Sequence, residues 1–192
     1  MTPEQILKRV AKAFKKPIKA RSKRAQKINL KESRMRSPIP ILLLKTLNGL
    51  ECDLSCDNLV VLHNSLLVRT YAELSPDLTA LAIVTKRWAK SRNVLGAQRS
   101  FLSSYAWTLM IIYYLQVCHG LPSLHQLAPT DPEHSRVLSL ATSFADLDTA
   151  RAAMAAGGRV GSAGQTPDGG GGGFGERLRG FFRFYATQFG WA

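Results

Sequence analysis

The stretch GLECDLSCDNLVVLHNSLL, residues 49–67, changes its hydrophobic period in the middle. Up to Cys56 apolar and polar residues alternate, which is typical of a strand with one buried face. Glu51 and Asp53 would share the other, solvated face. After Asp57 the apolar spacing becomes that of a helix, so Asp57 is expected in the turn between them. The stretch therefore predicts a strand, a turn and a helix.

The residues just before this stretch supply a partner for the strand. Residues 39–44 are a short apolar run, which Pro38 and Pro40 keep from beginning as a helix. Asn48 and Gly49 follow, and this dipeptide is a strong hairpin signal. We therefore predict two antiparallel strands joined by a tight turn.

Charge is concentrated at the N-terminus. The chain has 192 residues, 45% of them hydrophobic, and a formal net charge of +13. Residues 1–36 hold thirteen of the 26 lysines and arginines but only two acidic residues. Such an excess indicates a polyanionic partner such as RNA or DNA, although a solubilising basic arm is an equal alternative. Because Phe14 is the one aromatic residue in this arm, we expect it to bind phosphates rather than bases.

The basic arm divides into two parts by pattern. Thr2 and Gln5 form a capping-box sequence with Pro3 in the first turn, which predicts a helix over the first fifteen residues. Its apolar residues recur on one face: Ile6, Val10 and Phe14. Residues 17–37 are polar and show no period, so we predict a loop or an irregular helix there.

Helical patterns dominate after the hairpin. Three helices are predicted, over residues 59–73, 77–93 and 102–120. The third begins with a serine cap, ends at Gly120 and is apolar nearly all round, so we expect it at the buried centre of a helical domain. Residues 126–173 are rich in Gly and Ala and predict a disordered low-complexity linker. Order is expected to resume at 174–192, where Phe181 and Phe182 begin a set of packing aromatics.

Several classes of protein are disfavoured by the sequence. Three cysteines at Cys52, Cys56 and Cys118 form no framework, which indicates free thiols in a reducing compartment. No apolar run reaches the ~20 residues of a spanning helix, so no membrane is expected as a partner. A zinc site at Cys52, Cys56 and His63 lacks a second paired motif. The cytoplasm is the expected location, with the nucleus as alternative.

Separate segments resemble, in order, the terminal RNA nucleotidyltransferases of the DNA polymerase β superfamily. That family includes the terminal uridylyltransferases and the cytoplasmic-type poly(A) polymerases. The similar segments are PIPILLLKT, LECDLSCDNLVVLHNSLLVRTYAELSPDLTALAIVTKRWAKSRNV, FLSSYAWTLMIIYYLQ, LPSL and RLRGFFRFYATQFGW. Together they cover roughly residues 36–125 and 174–192.

The resemblance implies an α+β fold that is mainly α. A remnant of the nucleotidyltransferase β-sheet would be followed by a helical central domain and the disordered Gly-rich linker. The implied divisions are 1–58 (basic arm and C-terminal part of the catalytic domain), 59–125 (helical central domain), 126–173 (linker) and 174–192 (start of the poly(A)-polymerase-associated region).

The resemblance also assigns chemistry to Asp53. It matches the third of three catalytic carboxylates that hold two metal ions, Mg²⁺ or Mn²⁺, between the triphosphate and the RNA 3′ hydroxyl. The family's other two lie upstream in an Asp-x-Asp strand, but residues 1–50 contain no aspartate. The chain is therefore expected to be a fragment, a truncated gene model or a degenerate paralogue, inactive by itself.

Six residues match the family's nucleotide pocket. The resemblance gives the ribose and base contacts to Asn64 and Ser65, the triphosphate to Lys86 and Lys90, a phosphate contact to Ser104 and base stacking to Tyr105. Without the surrounding motifs, an Asn-Ser pair or a Lys-x-x-x-Lys pair would be interpreted as solvated helix surface.

The sequence thus predicts an RNA 3′-terminal uridylyltransferase, adding UMP from UTP to RNA 3′ ends. A poly(A) polymerase using ATP is the alternative within the family, because base selection depends largely on a loop beyond this sequence. A catalytically inactive RNA-binding or scaffold paralogue is the alternative from another class. An in-frame Asp-x-Asp strand encoded upstream would favour the enzyme.

Overall fold

The computed structural model describes residues 1–15, 28–36, 39–128, 136–137, 140–141, 143–156 and 173–190. The chain separates into two compact units, Met1–Leu62 and His63–Ala192. Helices predominate, and the main sheet is small and antiparallel. The predicted α+β, mainly α class is therefore confirmed.

The first unit is a three-stranded sheet covered on one face by a helix. Its elements are α1 (Pro3–Lys15), β1 (Ile28–Arg34), β2 (Ile41–Thr46) and β3 (Glu51–Leu54). Neighbouring strands are antiparallel in the order β1-β2-β3. The turn between β2 and β3 contains Gly49 with φ of 82°, a left-handed conformation that glycine adopts without strain. The predicted hairpin is therefore confirmed.

The predicted loop or irregular helix over residues 17–37 is wrong for Ile28–Arg34, which form β1. Most of its side chains are exposed, and a bulge between Leu30 and Glu32 shifts the pairing with β2. Both features hide the alternation by which a strand is recognised in sequence. Residues 16–27 and 37–38 lie outside the described residues.

Helix α1 begins and packs largely as predicted. The Thr2 backbone N–H donates to Gln5 Oε1 at 2.9 Å and the Gln5 N–H donates to Thr2 Oγ1 at 3.3 Å, which completes the capping box. Leu7 and Ala11, rather than the predicted Ile6, form the centre of its buried face. They pack in one core with Leu42 and Leu44 of the sheet, and the partly buried Val10 and Phe14 lie at its rim.

The second unit is built from helices around α4. Its helices are α2 (Leu59–Leu74, whose first turn belongs to the first unit), α3 (Pro76–Ser91), α4 (Ser104–His119), α5 (Leu147–Ala155) and α6 (Phe174–Arg183). A π-helical turn, Phe184–Gln188, continues α6, and a 3₁₀ turn, Ala97–Arg99, lies between α3 and α4. Short strands Arg136–Val137 and Leu140–Ala141 pair with each other. In the described ranges no helix is long and apolar enough to cross a membrane.

Helix α4 has the predicted ends and a buried centre. Ser103 Oγ accepts from the Ala106 N–H at 3.1 Å, and the helix ends at Gly120 with φ of 68°. Ile111 is 0% exposed, as predicted. However, Tyr113 is 45% exposed, so the expectation that the helix is buried all round is wrong for one side.

The predicted linker 126–173 is wrong over part of its length. Residues 143–156 are described and contain α5, which Asp146 caps by accepting from the Thr149 N–H at 2.8 Å. Ala145 and Ala150 are buried in the main core, and the Ala145 N–H donates to the Leu124 carbonyl at 2.9 Å. The Gly-rich residues 157–172 lie outside the described residues.

Helix α6 joins the same core as α3 and α4. Phe181 and Phe184 are buried, and Phe182 and Tyr185 pack at the edge of the core. The interpretation of these aromatics as packing residues is confirmed. The Arg177 guanidinium and the Asp77 carboxylate form an ion pair at 3.3 Å, which ties α6 to the first turn of α3.

Candidate functional site

The outer face of the sheet carries Asp53. Leu43 on β2 pairs with Glu32 on one side and Asp53 on the other, so these three side chains share a face. The neighbouring residues Leu42 and Leu44 point to the opposite face, where they contact α1. Asp53 is exposed. The strand predicted to present a catalytic carboxylate therefore presents it away from the core.

Cations neutralise the other two carboxylates of this face. The Arg34 guanidinium donates to Glu32 at 2.7 and 2.9 Å and lowers the pKa of that carboxyl group. Lys31 Nζ lies 2.7 Å from Glu51 and lowers its pKa, with Lys45 Nζ at 3.8 Å. Among the described residues no such ion pair holds the Asp53 carboxylate.

Asp53 can serve as one ligand of a metal ion, but the described residues around it do not complete a metal site. A hard divalent cation takes several oxygen ligands, and a two-metal site needs several carboxylates. In the part of the chain that the structure describes, no three His, Cys, Asp or Glu residues lie together as a metal-binding group. The described residues therefore supply a single candidate ligand for Mg²⁺ or Mn²⁺.

The start of α2 positions two of the predicted pocket residues. Asp57 has φ of 56°, which confirms that it is a turn residue, and Asn58 Oδ1 accepts from the Val61 N–H at 3.4 Å. Asn64 and Ser65 follow in the second turn of the helix. Asn64 is half-buried and Ser65 is exposed, so both have polar groups that a ligand could reach.

The predicted triphosphate lysines lie in the last turns of α3. The buried side of this helix includes Leu81, Thr85 and Ala89. Lys86 and Lys90 are one turn apart on a flank beside that buried side, Lys86 half-buried and Lys90 exposed. This flank therefore presents two neighbouring positive charges toward solvent.

The first turn of α4 presents the other two predicted residues. Ser103 caps the helix with its own side chain, and Ser104 is exposed in the first turn. Helix N-termini favour anions because backbone N–H groups and the helix dipole point outward. Tyr105 is 37% exposed, and burial raises the pKa of its phenol, so a neutral ring is available for stacking.

The connection between α3 and α4 brings these two helix ends together. The backbones of Leu95 and Leu102 form an isolated parallel β-bridge, and the Gly96 N–H donates to the Leu102 carbonyl at 3.0 Å. Trp88 and Trp107 meet edge to face with ring centroids 6.0 Å apart. The end of α3 that carries the two lysines therefore lies next to the beginning of α4.

Asp53 and the six pocket residues belong to different units. Asp53 lies in the unit Met1–Leu62, and the six pocket residues lie in His63–Ala192. Their convergence on one pocket stays a prediction. The sequence reasoning missed the cations around Asp53, above all Arg34, because the register of β1 depends on a bulge that no local pattern reveals.

Comparison with known proteins identifies relatives of the chain, although no family model matches it. Poly(A) RNA polymerase gld-2 homolog B of Drosophila melanogaster is 39% identical over 108 residues, which are 54% of this chain and 8% of that protein. Poly(A) RNA polymerase GLD2-A of Xenopus laevis is 32% identical over 161 residues, 82% of this chain and 29% of that protein. The chain thus spans less than a third of either relative.

The fold is similar to that of a protein of known structure. A crystal structure of the Cid1 poly(U) polymerase, with Mg 3′-dATP bound, has a TM-score of 0.63 and 27% identity, covering 83% of this chain and 46% of that one. The chain is homologous to part of the terminal nucleotidyltransferases. The resemblance to the terminal nucleotidyltransferases is therefore confirmed, whereas the preference for uridine is not, because the family's members here include poly(A) and poly(U) polymerases.

Proposed function

We propose that this chain is part of a protein that adds nucleotides to RNA 3′ ends. The observation that supports this proposal most directly is the exposed Asp53 carboxylate, which lies on a sheet face where Glu32 and Glu51 are both ion-paired. It precedes a helical unit whose α3 and α4 present two lysines and a helix N-terminus. The similarity to poly(A) RNA polymerase GLD2-A extends over 161 residues, 82% of this chain, and so includes residues of both units.

Each residue has a role that its surroundings allow. Asp53 would serve as one ligand of Mg²⁺ or Mn²⁺, which when bound neutralises phosphate charge and favours attack by the 3′ hydroxyl. Lys86 and Lys90 would hold the triphosphate as compact cations. Tyr105 would stack on the base, a contact worth ~1–3 kcal/mol. The remaining contacts, to ribose, base and phosphate, are proposed for Asn64, Ser65 and Ser104.

ATP and UTP are the two candidate substrates. The sequence segments around Asn64 and Tyr105 favour UTP by their resemblance to uridylyltransferases. The GLD2-type relatives, at 32–39% identity, are poly(A) RNA polymerases and favour ATP. The Cid1 poly(U) polymerase is 27% identical. We take ATP as the first candidate and UTP as the second, and the assay below includes both.

A non-catalytic RNA-binding or scaffold role is the second candidate function. It is favoured by the sheet face around Asp53, because Asp53 is the one acid of that face without an ion pair among the described residues. A single carboxylate is not enough to fix two divalent cations.

Primer extension separates these two functions. A labelled RNA oligonucleotide is incubated with each of the four nucleoside triphosphates and Mg²⁺ or Mn²⁺, using the 192-residue chain and a longer version with an in-frame Asp-x-Asp strand. We expect tailing by the longer version alone, and its loss on Asp53→Ala. Asp57→Asn is the matched control, because Asn tolerates the left-handed turn and should leave activity intact. Robust tailing by the 192-residue chain, or indifference of the longer version to Asp53→Ala, would contradict the assignment.

Nucleotide binding tests the lysines independently of catalysis. Lys86→Ala and Lys90→Ala should each weaken binding of a fluorescent nucleoside triphosphate by roughly tenfold, equivalent to ~1.4 kcal/mol. Arg87→Ala removes the same charge from an exposed position between them on the helix and should have little effect. Equal effects of all three changes would point to non-specific attraction by the basic chain.

A further inference from the structure

Helix α1 carries a row of lysines on one flank. Lys8, Lys12 and Lys15 are exposed and follow each other at i, i+4 and i+7. With a rise of 1.5 Å per residue, their positions are separated by ~6 and ~4.5 Å along the helix axis. We call these three residues the α1 lysine row.

The side of α1 next to this flank packs on the sheet. Leu7 and Ala11 are buried against Leu42 and Leu44 of β2, and the capping box fixes the first turn. The helix is therefore held on the sheet by its own apolar face. Its lysine row is presented in a fixed orientation rather than on an unattached arm.

The charges of the row are largely uncompensated. Lys8 pairs with Glu4, whereas for Lys12 and Lys15 the described residues provide no ion pair. Like charges at helical spacing destabilise a helix by ~0.2–0.5 kcal/mol per pair. A bound polyanion would remove this repulsion, so the row is electrostatically suited to a chain of phosphates rather than to a packed protein core.

We propose that the α1 lysine row binds backbone phosphates of single-stranded RNA. Phe14, the aromatic residue of this helix, packs against the sheet core and is half-buried, which leaves no ring on the row for base stacking. Binding is therefore insensitive to base sequence and strongly dependent on salt. The choice of RNA as the polyanion rests on the proposed function.

The test measures RNA affinity across salt concentrations. The 192-residue chain and a Lys8→Gln, Lys12→Gln, Lys15→Gln variant are titrated into fluorescent oligo(U) and oligo(A) by anisotropy. Glutamine keeps helix propensity close to that of lysine, and circular dichroism checks that α1 is retained. The control variant removes three exposed arginines of the second unit: Arg69→Gln, Arg151→Gln and Arg179→Gln.

If the α1 lysine row binds RNA, its substitution should reduce the salt dependence of RNA affinity by a defined amount. Neutralising three phosphate contacts should reduce the slope of log affinity against log salt by ~2, because each single-strand contact contributes ~0.7. The control should keep the slope, and oligo(U) and oligo(A) should behave alike. Equal loss in both variants, no loss in either, or a preference for anionic lipid vesicles over RNA would overturn the proposal.

This outcome is separable from the tailing assay. If the lysine-row variant binds RNA like the wild type while tailing by the longer version still depends on Asp53, RNA binding by the α1 lysine row is refuted and the proposed function stands. If the slope of log affinity against log salt falls as expected but the longer version adds no nucleotide, RNA binding by the α1 lysine row is supported and the catalytic proposal fails.

Discussion

Gly180 on α6 lies close to the Tyr114 side chain of α4. A Cβ added to this glycine would lie 2.3 Å from the Tyr114 hydroxyl oxygen and 3.4 Å from its ring carbon Cζ. Tyr114 is buried, and its hydroxyl is 2.9 Å from His119 Nε2. The ring therefore has little room to move away, and Gly180→Ala should push α6 off the core.

Two effects of opposite sign decide the magnitude. Replacing an interior helical glycine by alanine favours the helix by ~1 kcal/mol. Overpacking a filled core typically costs ~1–3 kcal/mol. The expected net result for Gly180→Ala is a loss of ~0–2 kcal/mol in the free energy of unfolding, measured by urea denaturation of the 192-residue chain with circular dichroism.

A double-mutant cycle isolates the contact. In a Tyr114→Phe background the hydroxyl is gone, and the nearest remaining ring atom is at an ordinary contact distance of 3.4 Å from the new Cβ. Gly180→Ala should then be neutral or stabilising by up to ~1 kcal/mol. The coupling between the two sites should be ~1–3 kcal/mol. If Gly180→Ala stabilises the wild-type chain as much as the Tyr114→Phe chain, the close packing of α6 on α4 is refuted.

Three further predictions test the second unit by urea denaturation. Tyr71→Phe should cost ~1–3 kcal/mol, because the Tyr71 hydroxyl accepts from the buried Leu124 N–H at 3.0 Å; an unchanged stability would contradict this. Ile111→Ala should cost ~2–5 kcal/mol, and Leu109→Ala, 38% exposed on the same helix, should cost clearly less. Burial lowers the pKa of His119, so the unfolded chain binds the proton more readily. Stability should therefore fall as pH drops below ~6.5 and level off below the folded pKa, and a His119→Gln variant should lose that part of the pH dependence.

Local rules predicted the elements whose ends are fixed by nearby residues. The β2–β3 hairpin follows from an Asn-Gly turn with a left-handed Gly49, and α4 follows from the Ser103 cap and the Gly120 end. Each depends on hydrogen bonds within a few residues, which a sequence pattern captures. The same holds for the start of α1.

The missed elements depend on distant partners. Strand β1 is recognisable only through its pairing with β2, because its own side chains are mostly polar and its register shifts at a bulge. Helix α5 was hidden by the low-complexity composition of the segment around it. Its buried residues are small, and the Ala145 N–H bond to Leu124 anchors it to a residue twenty-one positions away. Burial of alanines by close approach is invisible to hydrophobic periodicity.

The same reasoning applies to the sheet face around Asp53. The sequence identified this carboxylate by motif, but the pairing of Glu51 with Lys31 and of Glu32 with Arg34 requires the strand register. With these pairs formed, Asp53 is the one carboxylate of the described face without an ion pair, although its charge adds to the effect of Glu32 in raising the pKa of Arg34. Two divalent cations would bring four positive charges, which one carboxylate and the triphosphate cannot by themselves hold in a defined geometry. The proposed two-metal reaction would therefore need carboxylates besides those that the described residues place on this face, which makes the version with the Asp-x-Asp strand the decisive variant in the tailing assay.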